Sequence, residues 1–223
     1  MELAKLLDVR PGITAVIGGG GKSTLLRTLG EELAGHGNRV LLCTTTKIFP
    51  FPGIALARSL EELDRLRREH VLLCAGAEVP GTGKLTALAA PAAALAERFD
   101  YVLTEADGAA GRPLKAHLDF EPVIPAEAEQ TICVVGASGF GRPVCEAAHR
   151  PERYAALAGC AMGDKATPET EAAVLTAEAL HRRVFVNQVE TEAALSAARA
   201  LGGLLECPVL AGSLRQRKYF LKA

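Results

Sequence analysis

Residues 18–24 read GGGGKST and follow directly on the apolar run ITAVI. Gly costs roughly 0.5–1 kcal/mol relative to Ala inside a regular element, so four in succession mark a turn whose backbone bends sharply or is closely approached. An apolar strand, a glycine turn and a helix opening at Lys-Ser-Thr is the arrangement of a phosphate-binding loop. In that reading the N–H groups of Gly18, Gly19, Gly20 and Gly21 curl around phosphate oxygens and Lys22 reaches the β- and γ-phosphates. Ser23 ligates Mg²⁺, and Thr24 lies in the first turn of a helix whose positive dipole end faces the anion. The strict G-x-x-x-x-G-K-[ST] pattern is not met, because its first glycine position is Val16, and a signature lysine before the glycines is replaced by Ile17. A dinucleotide site fits less well. No G-x-G-x-x-G runs through 18–24, and the second strand ends in Thr44-Thr45-Thr46 rather than in an acid for a ribose.

The surrounding pattern fixes the fold class. Short apolar runs at 13–18, 39–44, 70–75, 101–106, 131–136, 183–188 and 208–212 are nearly continuous rather than alternating, as in strands buried on both faces. Helical segments lie between them. Ser59-x-x-Glu62 forms a capping-box sequence, Thr167-Pro168 opens a helix, and the segments 23–35 and 191–202 are expected to stop at Gly35 and Gly202. The expectation is an α/β fold with a doubly wound, mostly parallel sheet, forming one nucleotide-binding domain over 1–223. Two irregular stretches, 44–53 and 107–125, follow strands and are candidate active-site loops, since open α/β sheets bind ligands at the carboxyl ends of their strands.

Composition narrows the partners. With 25 Lys+Arg against 26 Asp+Glu, the chain has no general pull toward nucleic acid or anionic membrane. The start, MELAKLLDVRPG, carries charges where a signal peptide is apolar and reads as a short amphipathic helix; the longest apolar stretch, 87–96, is too short for a span and holds Pro91. A cytoplasmic location is expected. The six cysteines form no C-x-x-C pair and read as buried, reduced thiols, with sulfur or selenium handling by Cys43 as the sharper alternative. The histidine spacings make no zinc site.

Glu105 and Asp107, closing the run YVLTEADG, are the candidate Mg²⁺-side acids, with Asp107-Gly108 placed as a metal-sensing switch. At the end of the neighbouring strand, the hydroxyls of Thr44, Thr45 and Thr46 are candidates to complete a Mg²⁺ shell and Lys47 to neutralise phosphate. Arg112 and Lys115 are candidates to bind an anionic second substrate or stabilise developing charge. In VFVNQVE, Asn187, Gln188 and Glu190 occupy the place of a base-reading Asn-Lys-x-Asp, with Gln188 where the lysine would stand.

Together, GGGGKST, TTTKI, EADGAAGRPLKAH with EPVIP, HRPE at 149–152 and VNQVE give the chain a resemblance to the YqeC-type family of selenium-dependent molybdenum hydroxylase accessory proteins. The resemblance implies a P-loop protein that helps to mature a selenium-containing molybdenum enzyme, with that hydroxylase or another maturation protein as partner. His149 and Arg150 either touch substrate or cap the helix that begins near Pro151. The residues point to a Mg²⁺-dependent nucleoside triphosphatase using ATP or GTP, with Glu190 tilting the choice to GTP. A phospho- or nucleotidyltransferase acting on a small cofactor precursor and a non-catalytic nucleotide-gated docking protein are the alternatives.

Overall fold

The computed structural model describes residues 2–220. In chain order its elements begin with α1 (Leu3–Leu6), β1 (Gly12–Gly18), α2 (Lys22–Gly35), β2 (Val40–Thr44), β3 (Lys47–Ile48), β4 (Ala55–Ala57) and α3 (Leu60–Leu66). They continue with β5 (Leu72–Ala75), β6 (Ala77–Val79), β7 (Lys84–Thr86), α4 (Ala92–Ala96), β8 (Tyr101–Glu105), β9 (Leu114–Lys115) and β10 (Ala128–Gly136). After a 3-10 turn at Ala137–Gly139 come α5 (Val144–Ala147), β11 (Ala148–His149), α6 (Pro151–Ala158), α7 (Pro168–Glu178), β12 (Arg183–Asn187), α8 (Glu192–Leu204), β13 (Val209–Ser213) and β14 (Lys218–Phe220).

Nine strands form one sheet in the order β14-β13-β12-β10-β1-β8-β2-β5-β4, all parallel except β14. Its central strands are mostly apolar because both faces are covered. In β1, Val16 packs toward α1 and α2 with Leu25, Leu26 and Leu29, while Ala15 and Ile17 pack on the opposite face with the side of the molecule built by α5 to α8. Farther along that second face, Ile13 joins Leu41, Leu63, Leu95 and Phe99 beneath α3 and α4. The leucines of α2 recur at helical spacing, and burying each contributes about 1.5–3 kcal/mol, which anchors the helix that starts at the glycine turn.

The helix starts follow their caps. Ser59 accepts from Glu62 N–H, Thr167 from Thr170 N–H and Thr191 from Ala194 N–H, with Pro168 in the first turn of α7. Several local expectations are corrected. Helix α8 runs through Gly202 and Gly203 to Leu204, because Leu201 is buried in the core and tertiary packing outweighs the cost of glycine. The stretches 44–53 and 107–125 are not wholly irregular. β3 joins β7 and β6 in a small antiparallel sheet, and β9 pairs in parallel with β11. All six cysteines are free, but only Cys43, Cys74 and Cys133 are buried; Cys145 is exposed, and Cys160 and Cys207 are half-buried. No helix among the described residues is long and apolar enough to cross a membrane.

Candidate functional site

Register brings the candidate residues to one end of the sheet. β1 lies between β8 and β10, with Val16 opposite Glu105 and Gly18 opposite Val134. Thr44 of β2 is also opposite Glu105, and Gly136 of β10 is opposite Asn187 of β12. Successive strands are added on one side of β1 (β2, β5, β8) and then on the other (β10, β12, β13), so the glycine turn sits at a topological switch point, where such sheets form their ligand crevice.

Backbone crowding requires glycine at Gly18, Gly19 and Gly20, and a positive φ requires it at Gly21. A Cβ on Gly18 would lie 2.3 Å from Val134 O, on Gly19 2.6 Å from Pro113 O, on Gly20 2.4 Å from Gly136 Cα and on Gly21 2.5 Å from Asn187 Nδ2. Gly20 and Gly21 also take φ of +74° and +125°. The close approach comes from hydrogen bonds that tie the turn to its surroundings. Gly18 N–H donates to Asp107 Oδ2 at 2.8 Å, Gly19 N–H to Val134 O at 2.8 Å and Gly20 N–H to Arg112 O at 3.1 Å. This corrects the expectation that all four glycine amides face phosphate, since three are engaged within the protein. The helical bonds of α2 begin with Leu25 N–H to Gly21 O, which leaves the amides of residues 21–24 as the donors at the helix start.

Lys22 is buried. Its ammonium donates to Gly18 O at 2.7 Å and stands 3.1 Å from Asp107 Oδ1 and 4.0 Å from Glu105 Oε1. The two acids divide sharply. Ser23 Oγ donates to Glu105 Oε2 at 2.7 Å, and Glu105 lines the cleft with Gly20, Gly21, Lys22 and Ser23. Burial, joined by the neighbouring Asp107 charge, raises the Glu105 pKa against the opposing pull of Lys22 and Ser23. Asp107 is fully buried and lines no part of that cleft. Burial alone would raise its pKa, but the hydrogen bond from His117 and the charges of Lys22, Lys115 and His117 lower it to about 2.

A hydroxyl beside a carboxylate is an oxygen donor pair of the kind Mg²⁺ uses, with phosphate oxygens and waters supplying the other ligands. No group of three or more His, Cys, Asp or Glu placed to hold a metal occurs among the described residues. Ser23 and Glu105 therefore fit a magnesium ion bound with a triphosphate.

The remaining candidates separate into those at the cleft and those drawn inside. Lys47 and Arg112 line the phosphate-side cleft, of about 480 Å³. Thr44 Oγ1 donates to Glu105 O and Thr45 Oγ1 to Val123 O, and Thr46 Oγ1 lies 3.4 Å from Thr44 Oγ1; none of the three is among the residues lining the cleft. Lys115 is likewise corrected. Its buried ammonium donates to Gly108 O at 2.5 Å and Glu121 Oε2 at 2.7 Å and is 3.7 Å from Asp107, which removes it from contact with a second substrate. Arg150 takes the residue position before α6 with φ +63° and pairs with Glu121 through its side chain, while its side chain makes no cap bond. Burial and the nearby Lys115 and Arg150 charges lower the His149 pKa. Burial pushes the Cys43 thiol up to about 12, the opposite of what sulfur or selenium chemistry needs.

A larger cleft of about 1010 Å³ adjoins the turn on its other side and is lined by Gly20, Gly21, Thr24, Asn187, Gln188 and Glu190 among others. Asn187 joins two walls: its Nδ2 donates to Gly20 O at 2.7 Å and its Oδ1 accepts from Leu214 N–H at 3.1 Å. Gln188, with φ +66°, accepts from Ser138 Oγ at 2.5 Å. The Glu190 carboxylate accepts from Ser213 Oγ and from the Arg215 guanidinium.

The matched family adds the decisive observation: the YqeC protein family model covers residues 14–152, more than half of the chain and the whole span from the glycine turn through HRPE. The chain belongs to the YqeC family. A relative from Escherichia coli (strain K12), described as uncharacterized protein YqeC, is 35% identical over 159 residues, 67% of this chain and 62% of the relative. The alignment thus spans less than two thirds of that YqeC protein. Among solved structures, the hydrogenase maturation factor HypB from Archaeoglobus fulgidus is similar at 11% identity and TM-score 0.44, covering 93% of this chain and 84% of that one. FtsY from Mycoplasma mycoides is similar at 14% identity and TM-score 0.48, covering 91% and 60%.

Two residues of this YqeC chain that its motifs do not mark lie behind the site, against Asp107. His117 Nε2 is 2.6 Å from Asp107 Oδ2, and its Nδ1 is 2.7 Å from Glu178 Oε2 at the end of α7. The His117 backbone N–H also donates to Glu178 Oε1 at 2.6 Å. Ionised carboxylates only accept, so a ring facing one on each side holds both protons. Burial by itself would lower the His117 pKa; the two carboxylates reverse this and raise it. The string KAH contains His117, but no sequence spacing shows that its ring turns back onto Asp107, and Glu178 is 61 positions away.

Proposed function

We propose that the chain is a Mg²⁺-dependent nucleoside triphosphatase that acts in the maturation of a selenium-dependent molybdenum hydroxylase or its cofactor, in the cytoplasm. The observation that carries the nucleotide reading is the Ser23–Glu105 pair at the mouth of the glycine turn, next to Lys22 and the unengaged amides of the α2 start. In this reading the triphosphate lies on the amides of residues 21–24, and Lys22 leaves Gly18 O to reach its terminal phosphates. Ser23 and Glu105 would hold the metal, which would supply charge neutralisation along the phosphate chain. Asp107 is a positioning residue rather than a metal ligand: it fixes the Gly18 amide and the resting Lys22. The base enters the larger cleft beside Asn187 and Gln188. Guanine is favoured only if Glu190 turns from Arg215 toward it, so Arg215 is a competitor for the base.

Calorimetry with ATP and GTP in the presence of Mg²⁺, followed by phosphate-release assays, tests the reading. Lys22→Ala is expected to abolish binding with an unchanged circular dichroism spectrum, and Glu105→Gln to bind nucleotide but lose Mg²⁺-dependent turnover. Unchanged nucleotide affinity in folded Lys22→Ala overturns the phosphate-loop assignment. Normal turnover in Glu105→Gln overturns the division of roles between the acids.

A further inference from the structure

The phosphate-side cleft carries more positive charge than a nucleotide needs. Besides Lys22, its lining includes Lys47, Lys84 and Arg112, contributed by β3, β7 and the loop after β8. None of these three is ion-paired with a carboxylate among the described residues; the Arg112 guanidinium donates to the backbone oxygen of Glu146, and the Lys84 ammonium stands 5.1 Å over the Phe49 ring. The acid lining the cleft is Glu105, which is already bonded to Ser23.

Charge can be counted on this basis. A magnesium-bound triphosphate retains about two negative charges and Glu105 brings another, while Lys22 and the α2 N-terminus offset about one and a half of them. Lys47, Lys84 and Arg112 then leave the loaded cleft with an excess of roughly one to two positive charges. The excess is positioned on the side away from the base cleft, since Lys47, Lys84, Phe49 and Arg112 line the phosphate-side cleft and not the larger one. It is also built on an addition to the fold. The three-stranded sheet β3-β7-β6 is separate from the main sheet, and it brings Lys47, Phe49 and Lys84 to the cleft. Phe49 is 63% exposed and lines the same cleft beside Lys47 and Lys84.

We infer that this cleft holds a second ligand beside the terminal phosphate, a small oxyanion or oxyanion-bearing molecule of one or two negative charges. Lys47, Lys84 and Arg112 are its anchors, and Phe49 forms an apolar wall that also steadies the Lys84 ammonium by a cation–π contact. The inference rests on the nucleotide reading above and names a substrate class for it.

The test uses inorganic phosphate as the probe. The full chain is saturated with Mg²⁺ and a non-hydrolysable triphosphate, which blocks the glycine turn, and phosphate is then titrated by calorimetry. Saturable 1:1 binding is expected, weakened at least tenfold in Lys84→Gln, while the triphosphate affinity of that variant stays within twofold of the wild type. Binding of the triphosphate with no saturable phosphate binding overturns the second site alone. A Lys84→Gln loss of tenfold or more in triphosphate affinity assigns the cations to the nucleotide and also overturns it. Failure of the wild type to bind the triphosphate overturns the nucleotide reading and this inference with it.

Discussion

Replacing His117 with leucine removes the link between the acid behind Lys22 and the end of α7. The imidazole bonds Asp107 at 2.6 Å and Glu178 at 2.7 Å, and the three side chains are at most 6% exposed. Removing one partner from a buried charged pair costs about 3–5 kcal/mol. Here each carboxylate keeps another donor, Gly18 N–H for Asp107 and the backbone N–H of residue 117 for Glu178, so the expected loss is near the low end, about 3 kcal/mol. For a chain of this length that lowers the Tm by about 6–12 °C. Urea denaturation at pH 7 measures the loss. A His117→Leu/Glu178→Leu double variant is expected to recover part of it, because the Glu178 carboxylate is then no longer buried without its imidazole, while Asp107 keeps Gly18 N–H and Lys22. The pH dependence has a definite sign. The folded pKa of His117 is raised above its ordinary 6.5, so its contribution is complete below that value and is lost as the pH rises through the folded pKa. The gap between wild type and His117→Leu therefore narrows at alkaline pH. A loss under about 1 kcal/mol, with a gap that does not move with pH, would refute the bridging role.

Three further outcomes follow from the same geometry. Gly20→Ala, which places a Cβ 2.4 Å from Gly136 Cα at positive φ, is expected to abolish nucleotide binding in calorimetry; wild-type affinity would show that the turn is looser than its packing. A maleimide is expected to label exposed Cys145 in the folded chain and to leave Cys43 and Cys133 unmodified, which peptide mass spectrometry reads directly. Arg215→Ala is expected to increase the preference for GTP over ATP in competition binding by freeing the Glu190 carboxylate, and no change in either affinity would remove Glu190 from base reading.

The parts of this fold legible in the sequence are those set by neighbouring residues. The seven apolar runs became the central strands because both faces of the sheet demand apolar side chains, and Thr167 and Thr191 cap helices through bonds to residues three positions on. The glycine turn was legible by residue type as a tight, closely approached turn between a strand and a helix. What it could not reveal is that three of its amides are engaged, because the acceptors Asp107, Arg112 and Val134 arrive from distant segments. Lys115 illustrates the same limit. A lysine after a glycine-rich stretch reads as outward-facing, yet β9 pairs with β11 and draws it inside, where Glu121 meets it. Lys84 and Phe49 carry no motif, and their contribution depends on a small sheet whose strands of two and three residues are too short to show a period.

The Asp107–His117 bond also fixes the two feet of the loop between them, and this separates the scaffold from its rim. Once the feet of a loop are held, each doubling of its length adds only about 0.6 kcal/mol of closure entropy. At Gly108 and Gly111 an added Cβ would meet nothing within 4 Å, and Ala110 between them is exposed. Insertions at this tip would alter the mouth of the phosphate-side cleft while the strands and the glycine turn beneath it keep their contacts. The molecule can thus be diversified in what it admits by a graft of a few residues, with its core left as it is.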